Sequence, residues 1–128
     1  MKLENEKCSN AFVCAARGIK EAIKTEANLK FDILFAIIII ACGFFFKINM
    51  VEWIVCILSI GVMLFAEIMN TAVEATVDLV TRENNKQAKK AKDISAGAVL
   101  VFAIVSAVIG AIIFLPKIIN IFQNSIIM

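Results

Sequence analysis

Apolar and charged residues recur with the period of an α-helix near the start of the chain. Between residues 9 and 27 the apolar side chains share one face and the charged ones the opposite face. Such a helix suits a membrane surface. Glu26 breaks the pattern, because on a helical wheel it falls on the apolar side, about 40° from Phe12. Either the pattern relaxes at the helix end, or this carboxylate is turned towards other acids of the chain.

Three later stretches are apolar enough to enter a membrane, whose hydrocarbon core of about 30 Å needs about 20 apolar residues. We expect spans at residues 30–46, 48–81 and 94–115, the second with a cytoplasmic extension. We also expect Asn28–Asp32 to turn the chain into the first span, residues 82–90 to form a solvated linker, and the segment after Pro116 to form an amphipathic or interfacial tail. The prediction is one all-α integral membrane domain over residues 1–128, with an N-terminal surface helix and three transmembrane helices.

Composition and charge support this architecture and give it an orientation. Hydrophobic residues make up 61% of the chain, and the mean hydropathy is +0.89, which is unusual for a soluble domain. Six lysines and arginines lie at or before Lys30, where the first span begins, and five lie between the second and third. Only Lys47 and Lys117 fall on the other side. The positive-inside rule therefore places the N-terminus and the 82–92 loop in the cytoplasm.

Several functional classes lose support from what the sequence lacks. It has no histidine, and its four cysteines form no C-x-x-C pair, which disfavours zinc, haem and iron–sulfur sites. There is no P-loop or G-x-G-x-x-G motif, and no histidine-activated nucleophile can be built. We expect no nucleic-acid partner. Any metal would be held by oxygen ligands, which suits Mg²⁺.

A polar stripe interrupts the second apolar helix. Glu67, Asn70, Glu74 and Asp78 fall within an arc of about 80° and rise ~17 Å along the axis. Ionisable groups in a membrane segment are costly and indicate a functional site by default. A basic stretch at residues 82–92 follows. A row of carboxylates beside lysines at a membrane surface suits the handling of a metal-bound phosphate compound.

Phosphoryl transfer needs a bridging cation, positive charge on the phosphates and a group that accepts the hydroxyl proton. Glu74 is a plausible Mg²⁺ ligand, and Glu67, two turns nearer the lipid, is a plausible general base for a lipid hydroxyl. Asn70 could orient that hydroxyl and Lys92 could neutralise phosphate. The alternative is that these acids only pair with lysines at a helix end, an account that is strongest for Asp78.

The residues of this stripe resemble a known family. The run E-x-x-N-[ST]-A-x-E-x-x-x-D at residues 67–78, followed by A-K-D at 91–93, closely resembles the bacterial diacylglycerol kinase/undecaprenol kinase family. The similarity covers roughly residues 10–117. The runs V-D-L-V-T at 77–81, A-G-A-V-L at 96–100 and F-L-P-K at 114–117 look more like the undecaprenol kinase branch than the diacylglycerol branch.

This resemblance implies a homotrimer in the bacterial cytoplasmic membrane that transfers the γ-phosphate of ATP to a lipid alcohol on the cytoplasmic side. Undecaprenol is the expected acceptor and diacylglycerol the alternative. Glu67 would be the proton acceptor, assisted by Asn70, with Asp78 in a supporting position. Glu26 and Glu74 would hold Mg²⁺ and contact the nucleotide. Further nucleotide contacts would come from Cys14, Glu83, Asn84, Asn85, Lys92 and Asp93.

The chain departs from the family pattern at two places and leaves other functional classes open. Cys14 stands where a tyrosine or histidine is usual, and Asn84–Asn85 where relatives often carry an aromatic residue or histidine. A small proton-coupled transporter would use an intramembrane glutamate, but its acids would lie near mid-membrane and the lysines would have no role. A pore-forming protein such as a holin leaves the spacing of Glu67, Asn70 and Glu74 unexplained.

Overall fold

The computed structural model describes residues 10–127, which form four α-helices. They are α1 (Ala11–Thr25), α2 (Ala27–Phe45), α3 (Met50–Val80) and α4 (Lys86–Ile127). Ser9, where the surface helix is expected to begin, lies outside the described residues. The prediction of an all-α chain is therefore confirmed.

The chain breaks between α1 and α2 at a single residue, Glu26, which has extended backbone angles of φ −103° and ψ 115°. The expected turn at Asn28–Asp32 is wrong, because these residues already belong to α2. Leu29, only 1% exposed, explains the difference: an apolar side chain buried this close to the break favours helix immediately after Glu26. The ammonium group of Lys30 donates to the Lys24 carbonyl oxygen at 3.2 Å and so spans the junction.

A tight turn joins α2 to α3. Asn49 caps α3 through a capping box. The Glu52 backbone N–H donates to the Asn49 side-chain oxygen, and the Asn49 backbone N–H donates to the Glu52 carboxylate, both at 2.9 Å. Lys47 takes a positive φ of 51°. Gly43 lies so close to Trp53 that an added Cβ would come within 2.7 Å of the indole ring. The turn is therefore tightly packed on its inner side.

Helix α4 is longer than the expected span at residues 94–115. Asn85 begins it, because its side-chain oxygen accepts from the backbone N–H groups of Gln87 and Ala88 at 2.8 and 3.2 Å. Residues 86–90, expected in a solvated linker, are therefore helical. At the other end the helix continues through Pro116 to Ile127. It packs along α3, and a hydrogen bond of 2.9 Å joins the Ser59 and Ser106 hydroxyl groups between the two helices.

Little of this fold is buried against itself. A small core of Ile48, Cys56, Ile113 and Phe114 holds the turn end of the helices together, while many large apolar side chains on α2, α3 and α4 are exposed. These three helices are long and apolar enough to cross a membrane. The chain is an integral membrane protein in which the bilayer covers the surface that a soluble protein would bury.

Candidate functional site

The predicted stripe lies on one uninterrupted helix, α3. Glu67 is buried, with 5% of its surface exposed; Asn70 and Glu74 are half-buried, and Asp78 is exposed. Exposure thus increases towards the end of the helix. A buried carboxylate is unusual without a partner, and Glu67 is the only charged residue that is buried among the residues described.

Three other carboxylates lie near enough to Glu67 to interact with it electrostatically. Asp32 of α2, Glu26 at the α1–α2 break and Glu74 of α3 each interact electrostatically with it, in that order of strength. We call Glu26, Asp32, Glu67 and Glu74 the acidic cluster. The break at Glu26 therefore brings the odd acid of the surface helix to the stripe on α3, which supports the second of the two interpretations of its position.

Two oxygen atoms at the cluster lack a partner. The Asn70 amide nitrogen donates to Glu74 at 3.2 Å, but the Asn70 Oδ1 atom is buried and accepts no hydrogen bond from the described residues. The Asp32 Oδ2 atom is buried in the same way. Leaving a buried acceptor unpaired costs about 1–3 kcal/mol. Such atoms indicate that something from outside the chain completes the site.

The charge of the acidic cluster points to a cation. The ion pairs formed within residues 10–127 are Lys89–Asp93, Lys92–Asp78 and Lys117–Glu52, and none includes a cluster member. In the same range no group of three or more cysteine or acidic residues is close enough to hold a metal by itself. Mg²⁺ is commonly held by one or two carboxylates together with substrate phosphates. Two carboxylates from the cluster fit that type of site.

Basic residues stand at the same end of the bundle. The Lys92 ammonium group of α4 pairs with the Asp78 carboxylate of α3 at 2.6 Å, and Lys89 pairs with Asp93 one turn apart at 2.8 Å. The first pair ties α4 to the end of the stripe. For Asp78 the account of an acid pairing with a lysine at a helix end is supported.

The remaining sequence-predicted residues lie outside the cluster. Glu83, Asn84 and Asn85 are exposed in the connection between α3 and α4, and no hydrogen bond or ion pair within residues 10–127 joins them to the acidic cluster. Asn85 has a structural role as the cap of α4. Cys14 is half-buried on α1 and takes part in a disulfide.

Sequence analysis missed one member of the cluster. Asp32 was grouped with the turn before the first span, although it lies within α2 and is the strongest electrostatic neighbour of Glu67. Its signal in the sequence is the same as that of Glu67: an acid placed inside an otherwise apolar helix that enters a membrane. The wrong position of the turn concealed it.

An apolar cavity of about 480 Å³ adjoins the cluster between α2, α3 and α4. Asp32 is its charged lining residue. Apart from the paired Ser59 and Ser106 hydroxyl groups, its walls are mainly apolar, including Phe35, Ile39, Met63, Leu64, Ala103 and Phe114. A carboxylate cluster at one end of an apolar intramembrane cavity is suited to a molecule with a polar end and a hydrocarbon chain.

Comparison with known proteins identifies the family. The sequence model of the family of prokaryotic diacylglycerol kinases matches residues 13–114. The chain belongs to this family. It is 48% identical over 107 residues to the undecaprenol kinase of Bacillus subtilis, covering 84% of this chain and 87% of that one. It is 31% identical to the diacylglycerol kinase of Haemophilus influenzae, covering 82% and 90%, and 25% identical to that of Escherichia coli, covering 72% and 75%.

Membership confirms the resemblance stated from the motif, and it covers the whole candidate site. Every proposed site residue, from Cys14 to Asp93, lies inside the matched range. The relatives named above are kinases of lipid alcohols, and a chain of this family is a membrane-bound phosphotransferase. The identity is higher to the undecaprenol kinase than to these diacylglycerol kinases, in agreement with the branch that the sequence runs favour.

Proposed function

We propose that this protein phosphorylates a membrane lipid alcohol with ATP, and that the alcohol is undecaprenol, giving undecaprenyl phosphate and ADP. The observation that carries the proposal is that Glu26, Glu67 and Glu74 form one acidic cluster with Asp32, and that Asp32 lines an apolar cavity between membrane-spanning helices. The identity of 48% to an undecaprenol kinase supports the choice of acceptor.

Glu67 is the proposed proton acceptor. As the lipid hydroxyl oxygen attacks the γ-phosphorus of ATP, the bond to ADP breaks and the hydroxyl proton passes to the Glu67 carboxylate. The burial of Glu67 and its electrostatic proximity to Asp32, which lines the cavity, support this role, because a base must lie within hydrogen-bond reach of the hydroxyl. Asn70, whose Oδ1 atom is unpaired, is proposed to orient the same hydroxyl group.

Glu26 and Glu74 are the proposed Mg²⁺ ligands and nucleotide contacts. Mg²⁺ held by these two carboxylates would supply positive charge to the phosphate oxygens. The electrostatic proximity of both carboxylates to Glu67 supports the assignment. Asn70 donates to Glu74, so it also fixes the direction of one ligand.

Lys92 and Asp93 are proposed to bind the nucleotide from α4, with Glu83, Asn84, Asn85 and Cys14 as outer contacts. The Lys92–Asp78 ion pair supports a position for Lys92 beside the phosphates, because it fixes the ammonium group at the stripe. The outer contacts rest on the family pattern alone. Asn85 keeps its capping role in either case.

Direct assay tests the function. Purified protein in nanodiscs is incubated with radiolabelled ATP, Mg²⁺ and either undecaprenol or diacylglycerol, and kcat/KM is measured for each lipid, with a lipid-free sample as control. We expect the larger value for undecaprenol. A larger value for diacylglycerol would transfer the assignment to the alternative substrate, and absence of labelled lipid with both would exclude a lipid kinase.

The cavity offers a separate test of where the lipid chain binds. Ala103 lines the cavity, and its neighbour Ile104 is 57% exposed on the outer face of α4. Ala103→Phe should raise the KM for undecaprenol several-fold and leave the KM for ATP unchanged, because the ring fills the cavity. Ile104→Phe is the matched control and should change neither. Equal effects of both substitutions would refute binding of the lipid chain in this cavity.

A proton-coupled transporter is a less well supported alternative. The acidic cluster lies towards the end of α3 that faces the basic residues, and Lys92 pairs with Asp78 there; a transporter has no need for this arrangement. ATP consumption that depends on Mg²⁺ and rises with added lipid alcohol would exclude it. Lipid-independent proton flux through reconstituted protein would favour it.

We further propose that the protein is a homotrimer with its N-terminus and active site in the cytoplasm. The trimer follows from the family resemblance, and the orientation from the excess of lysine and arginine on one side of the spans. Native mass spectrometry of the detergent-solubilised protein measures the subunit number. Protease accessibility of the 82–85 connection in sealed inverted vesicles measures the orientation.

A further inference from the structure

The last turns of α4 form an apolar surface that the rest of the protein does not cover. Ile118 is the last residue of this helix that packs against the core cluster. Beyond it, Ile119, Phe122 and Ile126 are 51%, 64% and 83% exposed. The segment after Lys117 carries no charged side chain. We call residues 118–127 the distal helix.

The start of the distal helix is fixed relative to the membrane. The Lys117 ammonium group pairs with the Glu52 carboxylate at 2.9 Å, and Glu52 is also part of the capping box that closes the α2–α3 turn. That turn joins two membrane-spanning helices, so it marks the boundary of the hydrocarbon region. Residues 94–116 cover about 35 Å, enough to cross the core, and the distal helix therefore lies beyond it.

The distal helix is amphipathic. At 100° per residue the amide side chains Asn120, Gln123 and Asn124 lie with Lys117 within about 120°, and the opposite arc holds apolar residues. Ser125 falls on the apolar arc, but its hydroxyl group donates to the Ile121 carbonyl oxygen at 3.0 Å and so needs no water. The apolar arc consists of Ile118, Ile119, Ile121, Phe122 and Ile126, while Ile127 at the end falls on the polar side.

We propose that the distal helix lies along the membrane interface, in the leaflet opposite the acidic cluster, with its apolar arc among the lipid chains and a bend at Pro116. The occupant is inferred from continuity. Ile112 and Leu115 are 69% and 52% exposed on the part of α4 that is apolar enough to cross a membrane, and the apolar arc extends this exposed apolar surface. A helix continued straight would carry this arc through the headgroups into water. Pro116 lacks the backbone N–H of a regular turn, and helices bend at such positions.

Fluorescence quenching by brominated lipids tests the proposal in the full chain. Phe122→Trp places an indole on the apolar arc, and Gln123→Trp places one on the polar arc as the matched control. Each is made in a Trp53→Phe background, or with Trp53 kept and the wild-type spectrum subtracted. In nanodiscs we expect blue-shifted emission from Phe122→Trp, at least twofold stronger quenching than for Gln123→Trp, and the strongest quenching by bromines near the headgroup.

The other outcomes overturn the proposal. Water-like, unquenched emission at position 122 would place the distal helix in solvent. Blue-shifted emission without quenching by bromine at any depth would mean that a second copy of the chain covers the apolar arc. Adding Pro116→Ala should reduce the quenching at position 122, since the helix then straightens; unchanged quenching would refute the bend. None of these measurements depends on kinase activity.

Discussion

Glu67→Gln separates proton acceptance from every other property of its site. Glutamine has nearly the shape of glutamate, so it fills the buried position, where alanine would leave a cavity. It removes a carboxyl group that Asp32, Glu26 and Glu74 act on unfavourably, and no cation pairs with Glu67 among the residues described. We therefore expect the folded state to keep its stability.

The expected loss of activity follows from the assigned role. A positioned general base contributes about 10²–10⁴-fold to a rate, and each tenfold change corresponds to about 1.36 kcal/mol in the barrier. Glu67→Gln should thus raise the barrier by about 3–5 kcal/mol. Because the proposed Mg²⁺ ligands Glu26 and Glu74 are unchanged in this variant, the affinity for Mg·ATP should change by less than about threefold, a change of under 1 kcal/mol.

Two measurements on the same preparation check this prediction. Single-turnover transfer of labelled phosphate to undecaprenol gives the chemical rate, and equilibrium titration with an ATP analogue gives the nucleotide affinity. Glu52→Gln is the matched control: it changes a carboxylate of the same helix that pairs with Lys117 at the far end, and it should leave both values near wild type. A loss below tenfold, or a parallel loss of nucleotide affinity, would refute the role of Glu67 as the base.

Three further predictions follow from other contacts. Glu74→Gln should raise the Mg²⁺ concentration for half-maximal activity by tenfold or more, and an unchanged Mg²⁺ dependence would contradict its role as a ligand. Lys92→Ala should raise the KM for ATP, measured by steady-state kinetics, and an unchanged KM would contradict its role in nucleotide binding. Asp78→Asn should change the free energy of unfolding by less than about 1 kcal/mol, as expected for an exposed pair; a larger change in a denaturant titration would contradict this. Gly43→Leu should lower the free energy of unfolding by about 1–3 kcal/mol through overpacking, measured by thermal unfolding. Gly61→Leu is the control and should not, because no atom lies within 4 Å of a Cβ added there. Equal effects of the two substitutions would contradict the tight packing of Gly43 against Trp53.

The stripe on α3 could be predicted because it depends only on spacing along one regular helix. Residues three, four and seven apart share a face in any helix, so Glu67, Asn70 and Glu74 had to lie together once α3 was predicted. The odd wheel position of Glu26 gave a second signal. The family motif then linked the two, although wheel geometry alone left the position of Glu26 open.

Features that depend on contacts between helices could not be predicted. The chain breaks at Glu26 and not at Asn28–Asp32, and the first turn of α2 contains Leu29, which is buried in a tertiary contact that periodicity does not reveal. Asp32 became part of the cluster only because the turn comes before it. The early start of α4 depends on a single cap at Asn85, and helix ends are set by such local hydrogen bonds more than by hydropathy.

The helix break at Glu26 connects the fold with the proposed chemistry. No glycine or proline stands at the junction, so the break is not imposed by backbone preference. Two hydrogen bonds satisfy carbonyl groups at the end of α1: the Glu26 N–H donates to the Ala22 carbonyl oxygen at 2.9 Å, and the Lys30 ammonium group donates to the Lys24 carbonyl oxygen. These contacts stabilise the junction between α1 and α2, with the Glu26 carboxylate at the break. In a continuous helix the surface segment would have to enter the membrane with its charged face. The same break that separates α1 from α2 therefore brings Glu26 within electrostatic reach of Glu67.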